Sequence, residues 1–245
     1  MKINFNLPDS VLVILLKDFT TGGNLMWGTP QYGYDPQSEI GIDQVSVIKP
    51  RVLKTFDEQK SRTNDKAEVY TPLEIIKSMN DMVDSACDSD DYISRKVLEV
   101  TCGEAPYLVS RYDVSSGEEL SLDRREGLLD RKMRLVNNAP DRESWILDAE
   151  RAARSTYGYE WQGDSLLLAR KNVLLDVLEW YSFRFGEDMD IDDTQKFADI
   201  ISHNIIQMDG ITMCLPYSDI PAKIMNWDTL EMERFDGEPE EISLW

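Results

Sequence analysis

Three stretches of this chain share one grammar. "VLEVTCGEAPYL" (97–108), "TYGYEWQGD" (156–164) and "NIIQMDG" (204–210) each carry a short apolar or aromatic run that breaks into a turn holding an acid and a glycine. The intervening segments repeat their apolar residues at helical spacing. Short buried runs alternating with helices are the signature of a parallel sheet with crossover helices. The expected fold class is therefore α/β, Rossmann-like, with a mostly parallel sheet. In such sheets ligands bind just beyond the carboxyl ends of the strands. Three turns are expected side by side there: Cys102-Gly103-Glu104, Glu160-Trp161-Gln162 and Met208-Asp209-Gly210.

The helical segments have readable ends. Thr71, Pro72 and Glu74 make a helix start, with a capping hydroxyl, a proline at the first helical position and a capping-box acid. Leu73, Ile76, Met79, Met82 and Val83 follow at helical spacing. A strand is expected over 96–101, one helix around 127–136 and another over 143–155. A long helix runs from near Ser165 to a stop at Gly186, and the next opens at Asp192-Asp193-Thr194. At the N-terminus, a strand leads to a helix capped near Asp9 or Ser10. Residues 20–45, rich in Gly, Pro, Tyr and Asp, read as a loop or a pair of short strands. The chain thus divides into an extension over 1–45 and a main domain over 46–245.

Length and composition narrow the functions. With 245 residues and 42% apolar content a packed core is expected. The net charge of -20 sets the chain against bare nucleic acid, whose phosphates attract positive surfaces. The one dense basic stretch holds Arg51, Lys54, Lys60, Arg62 and Lys66. It reads either as a contact to nucleic acid or phosphate or as a solvated linker. The cysteines Cys87, Cys102 and Cys214 are odd in number and form no CxxC pair. They argue against a disulfide framework and a structural zinc site and for a reducing cytoplasm. The apolar run Val11 to Leu16 is too short to span a membrane, and no cleavage site follows it. No metal and no membrane contact are expected.

The chemistry of the three turns is acidic: Glu99, Glu104, Glu160 and Asp209 lie at or near the strand ends. A triphosphate or dinucleotide calls for GxxxxGK[ST] or GxGxxG, and neither is present. A ligand with a positive centre, an amine and ribose hydroxyls suits the set better. A carboxylate ending the second strand can accept two ribose hydroxyl hydrogens, and one ending the third can accept an adenine amino hydrogen. S-adenosyl-L-methionine fits this pattern better than NAD or ATP.

"AEVYTP", "VLEVTCGEAPYL", "GYEWQGDSLLLAR" and "NIIQMDG" resemble, in order, the cofactor motifs of N6-adenine DNA methyltransferases. More closely, the chain resembles the short bacterial and phage proteins called restriction endonuclease subunit M or DNA methylase. The likeness covers most of residues 45–235, including "RYD…GLLDRKMRLVN" and "KIMNW". It implies a Rossmann-like S-adenosylmethionine-dependent methyltransferase fold. By position it implies that Tyr70, Thr71, Pro72, Glu99 and the loop Thr101, Gly103, Ala105 and Tyr107 hold the methionine end. Glu160 would take the ribose, Trp161 would lie beside the adenine and Asp209 would meet its amino group.

One departure stands out. Amino-methylating enzymes of this kind carry Asn/Asp-Pro-Pro-Tyr/Phe, whose oxygens accept the target amino hydrogens while the aromatic stacks on the flipped base. The nearest string here is Cys214-Leu215-Pro216-Tyr217, which leaves Pro216 and Tyr217 as the candidate catalytic residues. No separate target-recognition domain follows. A protein of a restriction-modification or phage system is expected, reaching DNA through a partner subunit or having lost catalysis. The alternative is a non-catalytic acidic protein on the same scaffold that binds a DNA-processing partner as a regulator or DNA mimic. A small-molecule or protein methyltransferase is a third reading.

Overall fold

The computed structural model describes residues 5–55, 71–86, 91–113 and 116–234. Its centre is a three-stranded parallel sheet of β1 (Val97–Val100), β2 (Thr156–Glu160) and β3 (Ile205–Gln207), in that order. The register pairs Val97 with Thr156, Val100 with Tyr159 and Glu160 with Gln207. The carboxyl ends of all three strands therefore lie together, as the turn pattern predicts. The α/β class and the parallel sheet are observed.

The described residues form six α-helices: α1 (Asp9–Leu15), α2 (Leu73–Ala86), α3 (Leu128–Val136), α4 (Arg142–Arg154), α5 (Gly163–Phe185) and α6 (Ile191–Asn204). Their ends follow local chemistry. Asp141 caps α4 by accepting from Ser144 N, and Asp190 caps α6 by accepting from Asp193 N. Gly186 ends α5 in the left-handed conformation, at φ 72°. Two expected starts shift. The helix expected from Pro72 begins at Leu73, with the Pro72 carbonyl accepting from Ile75 N and Ile76 N, while Thr71 Oγ1 instead accepts from the Tyr107 hydroxyl. The helix at the N-terminus has Pro8, not Asp9 or Ser10, at its cap, and residues 5–8 form no strand.

The long helix α5 is buried nearly all round. Leu166, Leu167, Ala169, Leu174 and Val177 enter the core, as the apolar spacing predicts. So do four polar side chains, Asp164, Arg170, Asn172 and Asp176, none more than 2% exposed. A charge at such depth must be paired or hydrogen-bonded. Arg170 is: Nε donates to Ile205 O at 2.7 Å, Nη1 to Leu15 O and Lys17 O at 2.7 Å each, and Nη2 to Ser202 O at 2.9 Å. It thereby joins the end of α1, the end of α6 and the start of β3 to α5.

Residues 9–48 pack into the same core as the sheet and helices, through Leu15, Leu25, Trp27 and Ile40, all fully buried. Trp27 stacks on Tyr34 with ring centroids 4.7 Å apart. The free edge of β3 is closed by a side chain: the Gln207 amide accepts from Met26 N and donates to Met26 O, both at 2.8 Å, as a paired strand would. Gly163 allows the approach, since a Cβ there would stand 1.9 Å from Met26 O. The second face of the sheet is covered over β2 and β3 by Met208, Met213, Ala222 and Ile224. Residues 223–234 form an antiparallel hairpin of β4 (Lys223–Asn226) and β5 (Glu231–Arg234). Among the described residues no helix is long and apolar enough to cross a membrane.

Replacing Arg170 by methionine should test how much this clamp contributes. Four carbonyls, three of them on buried residues, would lose this donor, each buried one at roughly 1–3 kcal/mol. Denaturant unfolding of R170M is expected to show a loss of at least about 3 kcal/mol, with R170K recovering only part of it because one ammonium cannot reach all four.

Candidate functional site

The turn after β1 is the most contorted part of the sheet. Thr101, Gly103 and Ala105 all take positive φ, at 54°, 55° and 63°. Glycine adopts that conformation freely, but for threonine and alanine it costs about 1–2 kcal/mol per residue. The cost is met by bonds that hold the turn shut: Cys102 N donates to Tyr159 O, Ala105 N to Cys102 O at 2.7 Å, and Leu108 N and Val109 N to Ala105 O. A Cβ added at Gly103 would meet nothing within 4 Å. The turn therefore faces open space on that side.

Glu160, at the end of β2, joins this turn to the next. One carboxylate oxygen accepts from Gly103 N at 2.9 Å and the other from Gln162 N at 3.0 Å. The first and second turns are thus coupled by one acid. Trp161 Nε1 donates to Gly28 O at 3.2 Å, so its ring is fixed against the N-terminal segment. Asp209 Oδ1 accepts from Ile211 N at 2.8 Å and closes the third turn. A Cβ on Gly210 would stand 2.7 Å from the Tyr159 ring and 3.6 Å from Val100, which places this turn across the sheet face beside β1.

Glu99 lies on the opposite face of β1 from Leu98 and Val100. The backbone N–H groups of Tyr107 and Leu108 point at its carboxyl. Its Oε2 is shielded from solvent and has no hydrogen-bond partner among the described residues. Burial pushes its pKa well above the usual carboxylate range. The nearby Glu160 charge adds to that rise, and the two backbone N–H groups oppose it. Two acids thus stand beside the same turn, one of them carrying an unsatisfied oxygen.

The remaining expected site residues fall around this centre. Tyr107 lies in the same turn, its hydroxyl within 3.4 Å of Thr71 Oγ1 and 3.1 Å of Met79 Sδ, so Thr71 is joined to this turn. Tyr70 lies outside the described residues. Glu104 turns inward: its carboxylate accepts from Arg51 N at 2.7 Å and from the Tyr112 hydroxyl. Cys102 is buried against Gly158, where burial raises its thiol pKa well above the usual value and keeps it neutral. Among the described residues no cluster of three or more His, Cys, Asp or Glu side chains is arranged for a metal ion.

Pro216 is buried, and Tyr217 is half-exposed at φ 58°. The Tyr217 hydroxyl donates to Gly28 O at 3.2 Å, the carbonyl that Trp161 also uses, and the two rings meet edge-to-face at 5.0 Å. The structure thus places Tyr217 beside Trp161 at the end of β2. This juxtaposition is invisible in the sequence, because it depends on the N-terminal segment supplying the shared acceptor. Of the basic stretch, Arg51 and Lys54 are buried, with Lys54 Nζ 3.8 Å from Asp164. Those two belong to the fold, which corrects the reading of a solvated linker or phosphate contact for them. Lys60, Arg62 and Lys66 lie outside the described residues.

Comparisons with protein-family models, with curated proteins and with solved structures found no match to this chain.

Glu160→Gln should separate the two tasks of this acid. The carboxamide keeps one acceptor and presents an N–H to the other backbone donor. Unfolding experiments are expected to show a loss of about 1–3 kcal/mol, with hydrogen exchange faster at Gly103 or Gln162 and unchanged at α4.

Proposed function

We propose that this chain binds S-adenosyl-L-methionine at the three strand ends and is a DNA adenine-N6 methyltransferase-like protein of a restriction-modification or phage system. The observation that carries the reading is Glu99. A shielded carboxyl with an unpaired oxygen, beside a second acid and a strained turn, is poised for a cation. A ligand bearing an ammonium and a sulfonium would supply that charge. Glu160 and Asp209, on neighbouring strand ends, stand where a ribose and an adenine amino group can be met. Thr101, Gly103, Ala105 and Tyr107 shape the turn at the methionine end. Trp161 offers an apolar edge to the base.

Any transfer would be direct. The adenine amino nitrogen would gain the methyl group as the sulfur–methyl bond breaks in line, S-adenosylhomocysteine would leave and one amino proton would pass to solvent or a partner group, with orientation and exclusion of water supplying most of the acceleration. Pro216 is buried and the Tyr217 hydroxyl is engaged with Gly28. A partner subunit that brings DNA and acceptor groups completes the picture. The same observation, with the charge of -20, favours a second reading: a non-catalytic acidic protein on this scaffold that binds a DNA-processing partner.

Calorimetric titration with S-adenosylhomocysteine tests the pocket, and its pH dependence tests Glu99. In the free protein Glu99 holds its proton above the ordinary carboxylate range, whereas an arriving ammonium favours the charged form. Binding should therefore release a proton, and affinity should rise with pH from about 5 upward until Glu99 ionises unaided. Titrations in buffers of different ionisation enthalpy are expected to show that release in wild type and none in Glu99→Gln. No binding at millimolar ligand would rule out the cofactor reading. If the ligand binds, tritiated methyl transfer to DNA, with and without restriction subunits, separates enzyme from scaffold.

A further inference from the structure

The sheet and one helix leave the same margin of the molecule bare. β1 is an outer strand, and among the described residues β2 is its one neighbour. Val97 and Glu99 direct their backbone groups at β2, as Val97 N does in donating to Ser155 O at 2.9 Å. The N–H and C=O groups of Leu98 and Val100 therefore point away from the sheet. Among the described residues they meet one partner, the Thr101 hydroxyl on Val100 O. The side chains of Leu98 and Val100 lie on the second face of the sheet, beyond the residues that cover β2 and β3, and are 40% and 46% exposed. Edge strands that stay single usually carry a lysine or a proline. Val97–Val100 carries neither, and Glu99 turns its carboxyl inward, toward the N–H groups of Tyr107 and Leu108.

α2 runs back along this strand. Met79 Sδ lies 3.1 Å from the hydroxyl of Tyr107, in the turn after β1, and Asp84 bonds Arg95, just before β1. One face of the helix is anchored: Ile76 is buried, and Asn80 donates to Tyr107 O at 3.1 Å and to Glu126 O at 2.8 Å. At 3.6 residues per turn, Glu74, Lys77 and Asp81 fall together on a second flank. The third flank holds Ile75, Met79, Met82 and Val83, which are 37% to 61% exposed. Their spacing is that of a seam between two helices.

We propose that two copies of the chain meet at this margin, β1 against β1 and α2 against α2, across one two-fold axis. Antiparallel pairing lets the outward N–H and C=O groups of Leu98 and Val100 on each copy answer those of the other. The joined sheet then runs β3-β2-β1-β1-β2-β3. The same axis sets the two α2 helices antiparallel, stripe to stripe. Charge selects a second copy over a basic partner. No charged side chain of β1 or of the α2 stripe points outward, so a basic chain gains nothing there, and two like chains avoid opposing their charges. Pairing needs no cofactor, and it leaves the two sets of strand ends at opposite edges of the joined sheet.

Sedimentation equilibrium of the full chain is the test. Wild type is expected to show a monomer–dimer equilibrium at concentrations up to about 100 μM. The dimer should strengthen with added salt, because each copy brings a charge of -20 that salt screens. Leu98→Lys and Met82→Lys, both at exposed positions, should each weaken the dimer at least about tenfold. Phe183→Lys, at an exposed aromatic near the end of α5, should leave it unchanged. In wild type, hydrogen exchange at the Leu98 and Val100 amides should slow as concentration rises, and this readout answers alone should a lysine variant not fold. A chain that stays monomeric throughout overturns the inference and leaves the margin to a foreign chain. A dimer that either folded lysine variant leaves intact, or one in which those amides gain no protection, overturns it as well by placing the contact elsewhere.

Discussion

Everything in this fold hangs on burying the polar side of α5. A helix that is buried all round has no wet face on which to place its charges. Arg170 is the clearest case. Taking a guanidinium out of water costs several kcal/mol. Four charge-assisted bonds at about 1.5–3 kcal/mol each offset that cost. Burial lowers its pKa to about 9, which still leaves it charged at neutral pH. Two of its acceptors, Leu15 O and Ser202 O, belong to the last turns of α1 and α6. Helix C-termini carry unpaired carbonyls and partial negative charge. One cation satisfies two helix ends and a strand start at once, which is why α1 is bound to the sheet although its sequence lies far from it.

The same logic produces the site. Parallel strands of equal direction bring their carboxyl ends to one edge, and each turn must then satisfy its own backbone. Glu160 does this for two turns together, by accepting from Gly103 and Gln162. Glu99 is held by backbone N–H groups on one side and, among the described residues, has no partner on the other. A folded chain tolerates an unsatisfied carboxyl oxygen only at a cost of about 1–3 kcal/mol, and such costs gather at functional positions.

What the sequence made legible was local. The three turns could be placed side by side from periodicity and glycine alone, because strand direction follows from the intervening helices. The starts of α4 and α6 follow from Asp141 and Asp190, whose oxygens cap the first turn. Less legible was anything decided by distant partners. Leu73, Ile76, Met79, Met82 and Val83 share one helical spacing, yet only Ile76 is buried, while Met79, Met82 and Val83 face outward. The Gln207 amide closing on Met26 joins residues 181 positions apart. No window of sequence contains that contact. Lys54 and Arg51 read as surface charges because most lysines and arginines are. Their burial follows from Asp164 and Glu104, which enter from other elements.

The placement of Tyr217 sharpens the question of what the acceptor side can be. Its hydroxyl and the Trp161 indole converge on Gly28 O, and its positive φ shows that the backbone bends to bring it there. A tyrosine meant to stack on an extruded base needs an open ring face and a neighbouring amide or carboxylate to take the amino hydrogens. Here the neighbour two residues back is Leu215, buried and apolar, and Cys214 Sγ points to Thr212 O. Neither offers an acceptor. On the proposed function, a side-chain acceptor for the amino hydrogens must therefore come from outside the 214–217 string. The acids already at the strand ends are unsuited to that task if they hold a cofactor. On the proposed function, a second chain carrying its own acceptor group would resolve the conflict with no change to the proposed cofactor side. An acidic surface with -20 net charge would then meet a basic DNA-binding partner more readily than DNA itself.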